Sequence, residues 1–160
     1  SYLRLENVFR RSDDGTQDAG WWVQLTMEEA QLEWSDPIQL TSQLRLGMRD
    51  TGLLARLFLA RARESDWLGR LLNVHDIHGS AALAMSGEQI RLHDLTLTGG
   101  PLRLLSDVTL ANGQANGALY ARLGAVGLGV ELNDSEPALR VLQPKRWFDR
   151  WREAQRFPRP

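Results

Sequence analysis

Histidines, paired carboxylates and a few hydroxyl and glycine positions are the residues through which this chain of 160 amino acids, which has no cysteine, could do chemistry. His75, Asp76 and His78 come nearest to a metal or acid–base cluster. In an extended segment, however, His75 and His78 point to opposite faces, and no third ligand stands close in sequence. A place at the surface or at a strand end accounts for them. His93-Asp94 has the composition of a general base held by a carboxylate, and Asp13, Asp14, Glu28 and Glu29 are the other acidic pairs. Ser80 follows a glycine, but Ala81 and Ala82 do not complete the glycine-bounded elbow that exposes a nucleophile. Gly127 and Gly129 sit inside a strand pattern, not at the strand-to-helix turn that a phosphate loop requires. With no thiolate site and no converging triad, neither an enzyme nor a resident metal or cofactor is expected.

The elements that hold these residues explain most of them. From Ile90 to Leu110, apolar side chains alternate as Ile90 and Leu92, change parity across His93-Asp94, and resume at Leu95 and Leu97. After Gly99-Gly100-Pro101 they continue as Leu102, Leu104, Val108 and Leu110, with Ser106 in the row. This is a bent hairpin with one apolar face. Leu25, Met27, Ala30 and Leu32, then Ile38, Leu40, Ser42, Leu44 and Leu46, repeat it, and Leu3, Leu5 and Val8 repeat its first arm. Each copy places a polar pair, Glu6-Asn7, Glu28-Glu29 or His93-Asp94, at the parity change. A β-bulge or a tight turn there returns the next apolar side chain to the same face. The pairs thereby become structural, His93-Asp94 included. Ser42 and Ser106, matched within aliphatic rows, either bond a neighbouring carbonyl or mark a partly wetted interior.

Period and composition divide the remainder. The expected architecture is mainly β with some helix, a curved antiparallel sheet of repeated bulged hairpins forming a single domain over 1–160. Residues 1–49 and 74–143 form its two sheet segments. Residues 50–73 change to helical spacing after an Asp50-Thr51 cap and form an inserted helical hairpin. Residues 144–160 form a terminal amphipathic helix starting at Pro144, in which Trp147, Trp151 and Ala154, with Phe148 beside them, make an aromatic stripe. Gly127 and Gly129, on the outer side of a strand, imply another backbone close by. Hydrophobic residues at 42% and charged residues at 24% are ordinary for a globular chain, and the net charge of −1 gives no general pull toward nucleic acid. The basic residues instead gather in the terminal helix. There Arg146, Trp147, Phe148, Arg150 and Trp151 are candidates for a membrane interface, with aromatic rings at headgroup level and guanidinium groups on anionic lipid. The alternative is that the aromatics cap an open end of the sheet.

The run Ile90-Arg-Leu-His-Asp-Leu-Thr-Leu-Thr-Gly-Gly-Pro-Leu-Arg-Leu, followed by Gly117-Ala-Leu-Tyr-Ala-Arg-Leu-Gly-Ala-Val-Gly-Leu-Gly-Val-Glu-Leu, resembles the periplasmic β-repeat regions of the AsmA/TamB-like superfamily of bacterial envelope proteins. The resemblance is best over 74–143 and looser over 2–48. It implies a long curved sheet whose apolar inner groove conducts phospholipid between membranes or supports outer-membrane assembly. It also implies a periplasmic module, membrane-associated through a larger parent protein of which this chain is an excised piece. Its partners would be phospholipid or another acyl lipid, together with other segments of the parent, and no nucleic acid. Leu40, Leu44, Leu46, Leu92, Leu97, Leu104 and Leu110 are the groove candidates, since these rows need a cover of protein or lipid. The competing expectation is a closed-core structural or protein-interaction domain of an envelope or secretion assembly, working through edge-strand pairing.

Overall fold

A computed structural model describes residues 2–11, 17–50, 74–133 and 138–156, with backbone alone up to residue 21. The inserted helical hairpin expected at 50–73 lies outside the described residues, apart from Asp50. Asp50 ends a strand, pairing with His75 across the ladder, and its expected capping of the following residues lies outside the described residues.

The described chain is one open antiparallel sheet of nine strands in sequence order. They are β1 Tyr2–Arg11, β2 Gln17–Glu33, β3 Gln39–Asp50, β4 His75–Ser86 and β5 Gln89–Gly99. β6 Leu102–Ala111, β7 Gln114–Leu123, β8 Val126–Leu132 and β9 Ala138–Arg140 follow. Helix α1, Pro144–Arg156, ends the described chain. The sheet is curved and unclosed, with β1 and β9 as its edges. Such a meander follows from the turns. Four two-residue connections, Gly87-Glu88, Gly100-Pro101, Asn112-Gly113 and Gly124-Ala125, join β4 through β8. Each contains a glycine at positive φ, and Asn112 and Gly113 both have it, at 52° and 74°, as the type I′ hairpin turn demands.

Register shifts fall at the three polar pairs, and one more lies between Val8 and Arg10. Those at the pairs lie between Leu5 and Val8, between Glu28 and Gln31, and between Leu92 and Leu95. Glu29 and Asp94 adopt left-handed φ of 50° and 51°, so the parity change is a bulge inside a continuous strand and not a turn. A further kink lies outside the repeat. Asp76 has φ 54°, and the flanking Val74 and Ile77 are both buried, so strict alternation does not govern the His75–His78 segment.

The sheet buries two clusters on opposite faces. Met48, Val74, Ile77, Leu97, Leu102, Leu104, Leu119 and Ala121 form the larger one, on the face predicted to be apolar. On the other face, Leu105, Ala118, Tyr120 and Phe148 form a second, with Trp147 and Trp151 packed against it. Helix α1 therefore covers the outer face over β6 to β8, and does not cap an end of the sheet. Its inward stripe is Pro144, Trp147, Phe148, Trp151 and Arg152, spaced for one helical face, while Ala154 is exposed, contrary to expectation. The neighbour of Gly129 is likewise a side chain and not a backbone. A Cβ there would lie 2.7 Å from the Trp147 ring, and one on Gly127 would lie 3.3 Å from Pro144.

Candidate functional site

The apolar face is graded along the strands. Near the turns at Gly100 and Gly124, the aligned row Leu46, Gly79, Leu97, Leu104 and Ala121 is buried over β5 to β7, with Leu97 2%, Leu104 7% and Ala121 2% exposed, and half-buried at Leu46 and Gly79. At the opposite end, the aligned row Leu32, Leu40, Met85, Ile90 and Leu110 is open, with Leu32 52% and Leu110 39% exposed. Ile38 and Trp34, in the β2–β3 connection, extend that rim. The seven groove candidates thus divide. Leu44, Leu97 and Leu104 are core residues and line no opening, since neighbouring side chains already cover them. Leu40, Leu46 and Leu92 are half-buried, and Leu110 is exposed. Met85 and Ile90 belong to the open row although they were not among the candidates. The signal that finds them is adjacency to a turn, where the sheet runs out of neighbours.

Within the rows, both serines bond to carbonyls. Ser42 Oγ donates to the Glu28 carbonyl at 2.9 Å, inside the bulged segment, and Ser106 Oγ donates to the Ala118 carbonyl at 3.0 Å. Both are buried, so the bonded alternative holds over a wetted interior.

The outer face carries the charge. Asp107 opposes the His93-Asp94 bulge, and its carboxylate accepts the Asp94 backbone N–H. Arg152 reaches down from α1 and pairs with both Asp107 and Asp94. Burial alone would lower the Arg152 pKa, but hydrogen bonding and charge from Asp107, then Asp94, outweigh it and hold the guanidinium above its ordinary value. The bulge is therefore the docking point of the terminal helix, and Asp94 orients Arg152 in place of a catalytic histidine. Beside this contact, a polar cleft of about 450 Å³ is lined by Arg91, His93, Asn116, Glu131 and Gln155, among others. Its charges are mixed, and among the described residues no group of three histidine or acidic side chains is placed to share a metal ion.

The five membrane-interface candidates do not act as one surface. Phe148 is fully buried, Trp147 and Trp151 are half-buried against the sheet, and only Arg146 and Arg150 are exposed. The aromatic face cannot meet a membrane while α1 is docked. No described helix is long and apolar enough to cross a membrane. Compared with known proteins, the chain matches no family model, no curated protein and no solved structure.

Proposed function

We propose that this chain is a non-catalytic module that shields lipid acyl chains along the open end of its apolar sheet face, contributing to phospholipid transport or outer-membrane biogenesis in a bacterial envelope. The observation that carries the reading is the row Leu32, Leu40, Met85, Ile90 and Leu110, aligned across five strands and left partly open to solvent. Four strand spacings make it about 19 Å long, comparable with an extended acyl chain. It contains no charged side chain, so a hydrocarbon loses water there without stranding a polar group. The likeness of the Leu-x-Leu hairpins to envelope β-repeats supports the setting, a periplasmic one reached through a parent protein.

The test is native mass spectrometry with lipid extraction from freshly purified protein, joined to photocrosslinking from residues on the rim. A photoreactive residue at Leu110 or Ile38 should crosslink to lipid, and one at buried Leu97 should not. Protein free of lipid, with no lipid adduct at either rim position, overturns the reading. A second reading, a structural or protein-interaction domain, rests on the edges. β9 has three residues, Leu139 on it is 56% exposed, and neither β1 nor β9 has an outer neighbour among the described strands. Self-association abolished by proline at Leu139, without lipid, would favour it.

A further inference from the structure

The outer face carries a cluster of cations at the N-terminal end of α1. Arg103 and Arg122 are direct cross-strand partners on β6 and β7, both exposed. Like charges directly opposite one another repel, and sheets ordinarily avoid the pairing. Neither has a carboxylate within ion-pair distance among the described residues. Arg122 also lines a cleft with Tyr120, Lys145 and Arg146, and no acidic side chain lines it. Lys145 is neutralised by Asp149, whereas Arg146 reaches only the neutral side-chain oxygen of Gln143, at 3.3 Å. Arg122 and Arg146 thus share this cleft, Arg103 stands beside Arg122 on the sheet, and none of the three makes an ion pair among the described residues, although Asp149 and Glu153 line a neighbouring cleft with Arg146. Apolar side chains adjoin these cations in the chain: Val141 and Leu142, just before the helix, are 68% and 86% exposed.

We propose that this corner binds an anionic lipid surface, with Arg103, Arg122 and Arg146 on lipid phosphates and Val141 and Leu142 entering the acyl boundary. Charge complementarity selects an anionic partner, and the exposed aliphatic side chains select one with a hydrocarbon layer beneath its charge. A single-stranded nucleic acid would seek aromatic stacking platforms, but Trp147 and Trp151 are turned onto the sheet. The corner lies on the helix side, away from the open apolar rim. It does not rest on acyl shielding, and the two fail separately.

Cosedimentation of the whole chain with vesicles of phosphatidylcholine, with and without phosphatidylglycerol, tests it. Binding should require phosphatidylglycerol and weaken as salt is raised. Arg122→Glu and Arg146→Glu should each weaken it roughly fivefold or more, and Leu142→Ser should weaken it several-fold. Arg91→Glu, at the other end of the sheet, should leave it unchanged. All four positions are exposed, so an unchanged denaturation midpoint certifies each variant as folded. Equal binding to pure phosphatidylcholine, or undiminished binding by Arg122→Glu and Arg146→Glu, overturns the proposal. So does salt-sensitive binding of duplex RNA as tight as that of the anionic vesicles, with Leu142→Ser without effect on either.

Discussion

At Glu29 the backbone takes φ 50°, a left-handed conformation in which an ordinary side chain crowds the following carbonyl. The bulge fixes that geometry, because between the Glu28–Gln43 and Gln31–Thr41 pairs two residues, Glu29 and Ala30, stand against Ser42 alone. Asparagine tolerates the left-handed region, and a β-branched residue does not. Glu29→Asn should therefore be neutral or stabilise by up to about 1 kcal/mol, and Glu29→Val should destabilise by about 1–2 kcal/mol, read as shifts in the urea midpoint at constant slope. Asp94 is the corresponding residue of the later copy, and there the strained position also carries charge for Arg152. Arg152→Met keeps most of the side-chain stem but leaves Asp107, whose side chain is only 15% exposed, without its cation. A cost of about 1–3 kcal/mol is expected, against less than about 1 kcal/mol for Asp94→Ala, whose side chain is 64% exposed. Because the folded-state pKa of Arg152 is raised, its contribution is complete below the ordinary guanidinium pKa and lost only as pH rises through the folded value. The Arg152→Met deficit should accordingly stay constant across neutral and mildly alkaline pH, and a deficit that changes there would assign the effect to another group.

At the scale of elements, helix α1 is held by one buried ring and one close approach. Phe148 is fully buried among Leu105, Ala118 and Tyr120, with its ring centroid 6.3 Å from that of Tyr120. Phe148→Ala should cost about 3–5 kcal/mol. Because the helix has no other apolar anchor of that depth, it should release Trp147 and Trp151 to water, seen as a red shift of tryptophan emission before the sheet unfolds. Gly129→Ala approaches the same seat from the sheet, where the new methyl would meet the Trp147 ring, and about 1–3 kcal/mol of overpacking is expected. The hairpins and bulges were legible in the sequence because their causes are local: a glycine in each tight turn, and a polar pair at each change of parity. The seat of α1 was not, because it depends on which of two sheet faces receives the helix. Its signals, small Gly127, Gly129 and Ala118 opposite large Trp147 and Phe148, lie on different elements and acquire meaning only once β7, β8 and the helix are adjacent. The Asp76 kink was missed for a different reason. Val74 and Ile77 flank His75-Asp76 as Leu92 and Leu95 flank His93-Asp94, but no alternating arm precedes Val74 in the sequence, so no change of parity is visible there.

For the molecule as a whole, the unequal burial along one apolar face separates residues that stabilise the fold from residues free to bind. The leucine row was readable from alternation, but its gradient was not, since periodicity reports which face a side chain takes and not how many neighbours stand at that end of the sheet. Leu97 and Leu110 illustrate this: they belong to the same bulged hairpin and the same face, yet are 2% and 39% exposed. Replacing Leu97 by Ser removes a buried side chain and places a hydroxyl in the core, so a loss of about 3 kcal/mol or more is expected. Leu110→Ser at the open end should move the unfolding midpoint by no more than about 1 kcal/mol, as for surface changes. Binding of an environment-sensitive hydrophobic dye to the native protein should run the other way, reduced by Leu110→Ser in proportion to the apolar rim removed. If Leu110→Ser instead costs as much stability as Leu97→Ser and leaves dye binding unchanged, the open row is part of the closed core and the acyl-shielding proposal loses its site.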